Sequence, residues 1–345
     1  MKRCILVSLL LLAFALLLPL AAPRIAPVRI PAIPARAVTP TPGEAGDPPG
    51  AESGAEVLRP RADESVTVSF FHDGQVRQIT LADYLPGVLA GEMPAAFEED
   101  ALRAQAVAAR TFAAFHKLRG APAHPGADVC DDPACCQVWI GEEELRDRWG
   151  ENYDLYQRRI LSAVAATDGE YLTFEGEPIL ACFHSSSPGQ TEASAALWGT
   201  PLPYLVSVDS PETADDVPNF ISTVEVAPED FRETILSEYP GCAITETLPP
   251  DWLGARTLDT GGRVASIRVG GTPISGTKMR SLFSLRSASF TLEWTGRSFL
   301  FTVTGYGHGA GMSQYGANVM AREGSTWREI LSHYYPGTEL SALPV

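Results

Sequence analysis

From Gly305 to Ala317 the chain reads Gly-Tyr-Gly-His-Gly-Ala-Gly-Met-Ser-Gln-Tyr-Gly-Ala, with glycine at every second position from 305 to 311. Glycine accepts positive φ and lets a ligand approach the main chain closely, so this string reads as a site loop. It would present Tyr306, His308, Met312, Ser313, Gln314 and Tyr315. Taken alone it fits a tight turn capping a strand just as well. Two polar clusters upstream, Ala90-Gly91-Glu92-Met93-Pro94 with Ala104 to Thr111, and Phe183 to Glu192, give it company.

The chain has 345 residues, of which 45% are hydrophobic, enough for one large core or two smaller ones. Its formal net charge is −16 and its few Lys and Arg are scattered. A nucleic-acid surface needs clustered cations, so the composition excludes that class and points to an uncharged or zwitterionic polymer. Met1-Lys2-Arg3-Cys4 precedes an apolar run from Ile5 to Ala22, broken only by Ser8 and Pro19. A cleavable signal and a membrane span both fit, and both export the remainder. The length of the Leu-rich run and the basic pair before it favour an uncleaved single-pass anchor. Residues 23–64, rich in Pro, Ala, Gly and Arg, read as an extended linker of about 3 Å per residue where polyproline-like.

Beyond the linker, helical and strand patterns occur in blocks, which predicts an α+β domain over 65–345 with antiparallel strands. Ser65 to Thr80 alternates as two strands turning at Asp73-Gly74. Asp83 is a candidate N-cap for a helix over Tyr84 to Gly91, and Met93-Pro94 ends it. A second helix from Ala95 to Leu118 carries Phe97, Ala101, Ala104, Ala108, Phe112 and Phe115 as one buried stripe. Glu92 therefore sits at a helix C-terminus, where the dipole and desolvation favour its neutral form, as a general acid requires. Further on, a helix over Asp154 to Thr167 leads to strands at Tyr171 to Phe174 and Ile179 to Phe183. His184 and Ser185, after the second, are too opposed in direction for a nucleophile pair if the strand continues. Hydrogen bonding to a substrate suits this segment better. A helix opens at Ala227-Pro228, strands fall at Arg263 to Val269, Ser289 to Trp294 and Arg297 to Thr304, and a final helix spans Trp327 to Tyr335.

His124, Cys130, Cys135 and Cys136 lie within thirteen residues. This ligand set suits a structural zinc, while an exported domain also admits a disulfide of Cys130 with Cys135 or Cys136. The extra adjacent cysteine favours the metal. Cys182 and Cys242 fit either buried thiols or a pair.

The clusters at 90–94 with 104–111, 183–192 and 305–317, followed by His333-Tyr334-Tyr335-Pro336-Gly337-Thr338, resemble in this order the sporulation stage II protein D (SpoIID) family of peptidoglycan lytic transglycosylases and its amidase-enhancer relatives. The resemblance runs from about Val66 to Leu340. It implies that Glu92, in the family's A-x-E-M-P pattern, is the catalytic acid/base. Gln105, Arg110, His184, Ser185, Ser186, Gln190, Thr191 and Glu192, with the 306–315 loop, would position the glycan. Family members often carry Cys and His near a pattern read here as Cys136-Gln137-Val138-Trp139-Ile140-Gly141. The resemblance also implies a two-lobed domain with a cleft, its second lobe near 210–301. It further implies action on peptide-stripped glycan in the septal space of a sporulating cell, with a partner amidase and a membrane protein of the engulfment machinery. One departure is local: Ser186-Ser187-Pro188-Gly189-Gln190 carries Pro188 for a glycine and Gln190 for a cation.

Overall fold

The computed structural model describes residues 61–343, apart from 122 and 245–247. The expected anchor at 1–22 and nearly all of the expected linker lie outside the described residues. Among the described residues, no helix is long and apolar enough to cross a membrane.

The folded part begins earlier than composition indicates, with helix α1 (Arg61–Ser65). Strands β1 (Thr67–His72) and β2 (Gln75–Thr80) form the expected hairpin, with Asp73 and Gly74 both at positive φ (51° and 76°) as a tight two-residue turn requires. Helix α2 (Leu81–Glu92) starts three residues before the expected position, because Thr80 rather than Asp83 caps it. The Thr80 side chain accepts from the Asp83 N–H. Met93 is extended (φ −127°, ψ 137°), the conformation that a following proline imposes, and this fixes Glu92 as the last helical residue.

Helix α3 (Glu99–Arg119) begins after a turn closed by Phe97 N–H to Pro94 O. Of the expected stripe, Ala101, Ala104, Ala108 and Phe112 are buried, Phe97 lies in the turn before the helix and Phe115 is half-buried, while all residues from Ala104 to Ala113 are covered. Its many alanines make it thin enough to be surrounded, so α3 is the central rod of the domain. Around it lie β3 (Val129–Cys130), α5 (Tyr153–Ala166), on which α4 (Glu142–Trp149) packs, β4 (Glu170–Phe174) and β5 (Glu177–Pro178). Next come β6 (Phe183–His184) and the short helix α6 (Ser194–Trp198). Residues 179–182, expected as strand, are buried outside any strand between β5 and β6, with the Ile179 N–H still donating to the Leu172 carbonyl of β4 at 3.2 Å.

Strand β7 (Ile221–Val226), helix α7 (Pro228–Glu238), strands β8 (Leu253–Leu258), β9 (Val264–Val269) and β10 (Thr272–Ile274), helix α8 (Gly276–Leu282), and strands β11 (Phe290–Trp294) and β12 (Phe299–Thr304) form a second group. They make two antiparallel sheets, ordered β10-β9-β8 and β11-β12-β7. Their own core is aromatic, with Phe231 stacked 4.1 Å from Phe299 and 5.0 Å from Phe283. The chain then returns through β13 (Met312–Ser313), α9 (Gln314–Arg322), α10 (Trp327–Tyr334) and β14 (Glu339–Ala342), which pairs with β4.

The architecture is α+β, with one departure from purely antiparallel pairing. Two short parallel pairings, β1 with β3 and β6 with β13, join segments far apart in sequence. Each lies beside a group of expected site residues.

Candidate active site

Glu92 is half-buried, and its carboxyl oxygen Oε1 accepts the Val138 N–H at 2.7 Å. Burial raises its pKa to about 7, against the opposing pull of the Val138 N–H and of the Gln314 side chain. The Gln314 amide faces the carboxyl without completing a bond of normal geometry through its Nε2. A carboxyl that keeps some access to solvent and titrates near neutrality can both give and retake a proton.

Gln314 is delivered by the parallel pairing of β13 with β6, which sets Met312 beside Phe183 and Ser313 beside His184. Gly305, Gly307, Gly309 and Gly311 all have positive φ, so the expected loop conformation is present. At Gly311 a Cβ would lie 1.9 Å from the Cys182 carbonyl oxygen, and no other residue fits. Ser313 caps α9 by accepting the Gly316 N–H, which starts the helix at Gln314. Tyr315 then packs edge-on against Phe97, 4.9 Å between ring centres, and the Glu98 N–H donates to Asn318 Oδ1 at 2.8 Å. Helix α9 thus closes on the turn that follows Glu92.

Behind the loop is a buried polar network. His184 donates through Nδ1 to the Ala310 carbonyl at 3.2 Å, which leaves Nε2 to accept the Ser187 hydroxyl at 2.6 Å. Burial first, then His308, Arg263 and Arg280, hold His184 well below the usual histidine range, so it is neutral. This pair has the form of a nucleophile and its base. Yet Ser187 is fully covered, and its oxygen also accepts from Arg263 Nη2 at 3.3 Å, so it supports the loop rather than reaching a ligand. His308 is likewise neutral, pushed down to about 3 by burial and then by Arg280 and Arg263.

Glu212, which no motif marks, gathers the network. It accepts from the Ser187 N–H and the Ser210 hydroxyl, each at 2.6 Å, and from the Ser313 hydroxyl. Ser210 also meets the Tyr334 hydroxyl at 2.9 Å. A Cβ on Gly316 would lie 2.1 Å from that hydroxyl and 2.6 Å from Glu212, which explains the glycine in the Ser-Gln-Tyr-Gly run.

Among the other expected site residues, Tyr306, His308, Tyr315 and Ser185 keep some exposure. Gln190 is exposed and bonded to Asp209. Ser186, Thr191, Met312 and Ser313 are buried scaffold. Glu192 is buried too, with its pKa raised to about 7 by burial and then by Asp259, against Arg263 at 3.8 Å. It lacks the exposure of Glu92. Gln105 is fully buried, and its amide has no hydrogen-bond partner.

Arg110 is wholly buried in the core. Its guanidinium grips Asp63 at 2.6 and 2.7 Å and donates to the Glu170 carbonyl at 3.0 Å, with both partners of the ion pair wholly buried. No N–H remains to bind glycan. The sequence hid this because Asp63 falls in what composition reads as linker.

A second cluster lies just upstream of Val138. His124, Cys130 and Cys135 bring ligand atoms within 4.8 Å of one another, and the Cys136 Sγ is 3.8 Å from that of Cys135. All three thiols are free, and the buried His124 Nε2 has no partner. Hydrogen bonding among the sulfurs pushes Cys135 down and Cys130 and Cys136 up. An orphaned imidazole nitrogen facing thiols, one of them readily ionised, fits a soft cation. Cys182 and Cys242 are separate buried thiols.

A groove of roughly 600 Å³ is lined by Arg77, Gly87, Trp139, Ile140, Trp149 and Tyr153 among others, but not by Glu92.

Comparison with known proteins decides the family. Residues 72–174 match the SpoIID family, described as "Stage II sporulation protein". The chain is 36% identical over 293 residues to Stage II sporulation protein D of Bacillus subtilis (strain 168), covering 84% of this chain and 82% of that protein. The chain belongs to the SpoIID family. A second SpoIID protein, from Bacillus amyloliquefaciens, is 36% identical over 290 residues with the same coverage. The Amidase enhancer of Bacillus subtilis is 27% identical over 316 residues, 75% of this chain and 40% of that protein. The SpoIID match at 72–174 takes in Glu92, Val138 and the His/Cys cluster.

Proposed function

We propose that this SpoIID-family protein is a membrane-anchored lytic transglycosylase that cuts peptidoglycan glycan strands between MurNAc and GlcNAc during sporulation. The observation that carries the reading is the half-buried carboxyl of Glu92, raised to about 7 and held by Val138. Hydrolytic glycosidases use two carboxylates across the scissile bond. A transglycosylase that closes its product internally needs one. Glu92 protonates the glycosidic oxygen, the sugar's own acetamido group relieves the cation-like centre, and the resulting carboxylate takes the C6 hydroxyl proton. The C6 oxygen bonds to C1 and the leaving strand keeps the first proton. Tyr306, His308, Gln314 and Tyr315 line the path and orient the sugar. The anchor would hold this chemistry at the outer face of the membrane in the septal space, beside a partner amidase and a membrane protein of the engulfment machinery.

His124, Cys130, Cys135 and Cys136 would hold zinc, which would contribute folding energy and fix the knuckle that leads to Val138. The test of the reaction is treatment of murein strands with the wild-type protein and with Glu92→Gln, followed by mass analysis of the new ends.

A second reading is favoured by the likeness to the Amidase enhancer. There the cleft binds glycan without cutting it and serves a separate amidase. Strand binding with no new ends, together with stimulation of an added amidase, would select that reading.

A further inference from the structure

The fold pairs two of its buried arginines with carboxylates, Arg110 with Asp63 and Arg263 with Glu192. The buried Arg280 and the half-buried Arg286 have no such carboxylate among the described residues. Arg280 is 7% exposed, and the hydrogen bond given to its side chain runs from Nε to the Leu285 carbonyl at 3.2 Å. Arg286 stacks over Tyr306, 4.4 Å from the ring centre, and its buried Nε has no hydrogen-bond partner. Neither arginine makes an ion pair among the described residues. In a chain of net charge −16, a desolvated guanidinium without its anion is a cost that a ligand can remove.

Their placement ties them to the glycine-rich loop. Arg286 accepts the Gly307 N–H through its carbonyl at 2.9 Å, and its charge acts on Tyr315, the neighbour of Gln314. Arg280 is felt at Tyr306 and at His308. The two arginines therefore border the same loop that brings Gln314 to Glu92.

We propose that Arg280 and Arg286 form an anion subsite that binds the free lactyl carboxylate of a peptide-stripped MurNAc residue. This rests on the glycan-cutting reading above. The planar guanidinium fork matches a carboxylate and gains little from an amide. In peptidoglycan the lactyl group is an amide wherever a stem peptide is attached and a carboxylate where it has been removed. A pair of held arginines beside the 305–315 loop thus distinguishes stripped strands from intact ones by charge. A stem peptide's own carboxylates offer the same chemistry at the end of a flexible chain.

The test is a binding measurement with the full-length protein carrying Glu92→Gln, so that strands stay uncut. Three ligands are compared: stripped strands, the same strands with lactyl carboxylates converted to methylamides, and strands with stem peptides attached. Stripped strands should bind about 10- to 100-fold more tightly than methylamide strands, the range of charged hydrogen bonds. Adding Arg286→Gln or Arg280→Gln should bring that ratio close to one, with circular dichroism showing a retained fold. The substrate-side change alone keeps the proposal testable if a variant misfolds. Equal binding of carboxylate and methylamide strands would overturn it. So would stem-bearing strands that bind as tightly as stripped ones and weaken in the arginine variants. Carboxylate-dependent binding by a wild-type protein that never cuts would keep the subsite and remove the transglycosylase. Cutting that is indifferent to methylamidation would do the reverse.

Discussion

The Val138 N–H donates to Glu92 Oε1 at 2.7 Å, so the residue two places after Cys136 holds the acid at the end of α2. The soft-ligand knuckle and the carboxyl are therefore mechanically joined, although they lie in separate motifs.

Glu92 sets the pH dependence. A general acid must carry its proton, so strand cleavage should fall as pH rises through about 7. The same shift has a stability consequence of opposite kind to a salt-bridged carboxylate. The folded state holds this proton more tightly than the unfolded state, so the contribution of Glu92 to stability is greatest below about 4.5 and is lost as pH rises through about 7. Glu92→Gln should abolish cleavage and melt above wild type at pH 8, with the difference fading at acid pH. Thermal melts across pH check this, and a constant difference would exclude titration of Glu92 in that range.

Gln314→Leu should raise the midpoint of the cleavage profile, because the Gln314 side chain favours the ionised carboxyl. Its loss of positioning should also lower kcat, by about 10-fold. An unshifted profile in a folded variant would place Gln314 outside the influence of Glu92.

Asp63→Ala leaves Arg110 buried without its anion and should cost about 3–5 kcal/mol of stability. Urea unfolding measures it. A chain truncated to begin at Glu64 should show the same loss, whereas one that retains α1 should not.

Metal analysis should find about one zinc per chain. Chelation should lower the melting temperature, with activity lost only as the fold is lost. A chelated protein that stays folded by circular dichroism but no longer cuts would place the metal in the chemistry. Disulfide-linked Cys130 and Cys136 in protein prepared anaerobically would replace the metal altogether.

Local chemistry was legible where the signal was local. The turn at Asp73-Gly74, the end of α2 at Met93-Pro94 and the positive-φ glycines follow from residue types alone. Partnership was not legible. Glu212 stands in a plain Ser-Pro-Glu run, and its meaning comes from Ser187, Ser210 and Ser313 converging on it in space. Arg110 lies in a family-like helix, yet its role is set by Asp63, 47 residues earlier in a region that reads as linker. The start of α9 at Gln314 was masked by the glycines before it, because the Ser313 cap is a signal of only one residue. Arg286 falls within the stretch that the resemblance assigns to a second lobe, and only its lack of an ion pair among the described residues marks it out.

The most direct test is mass spectrometry of strand ends after incubating peptide-stripped murein glycan with the full-length protein, with Glu92→Gln as control. Wild type should produce 1,6-anhydroMurNAc ends and Glu92→Gln none. Reducing MurNAc ends would make water the acceptor and require a second carboxylate, and full cleavage by Glu92→Gln would remove Glu92 from the reaction.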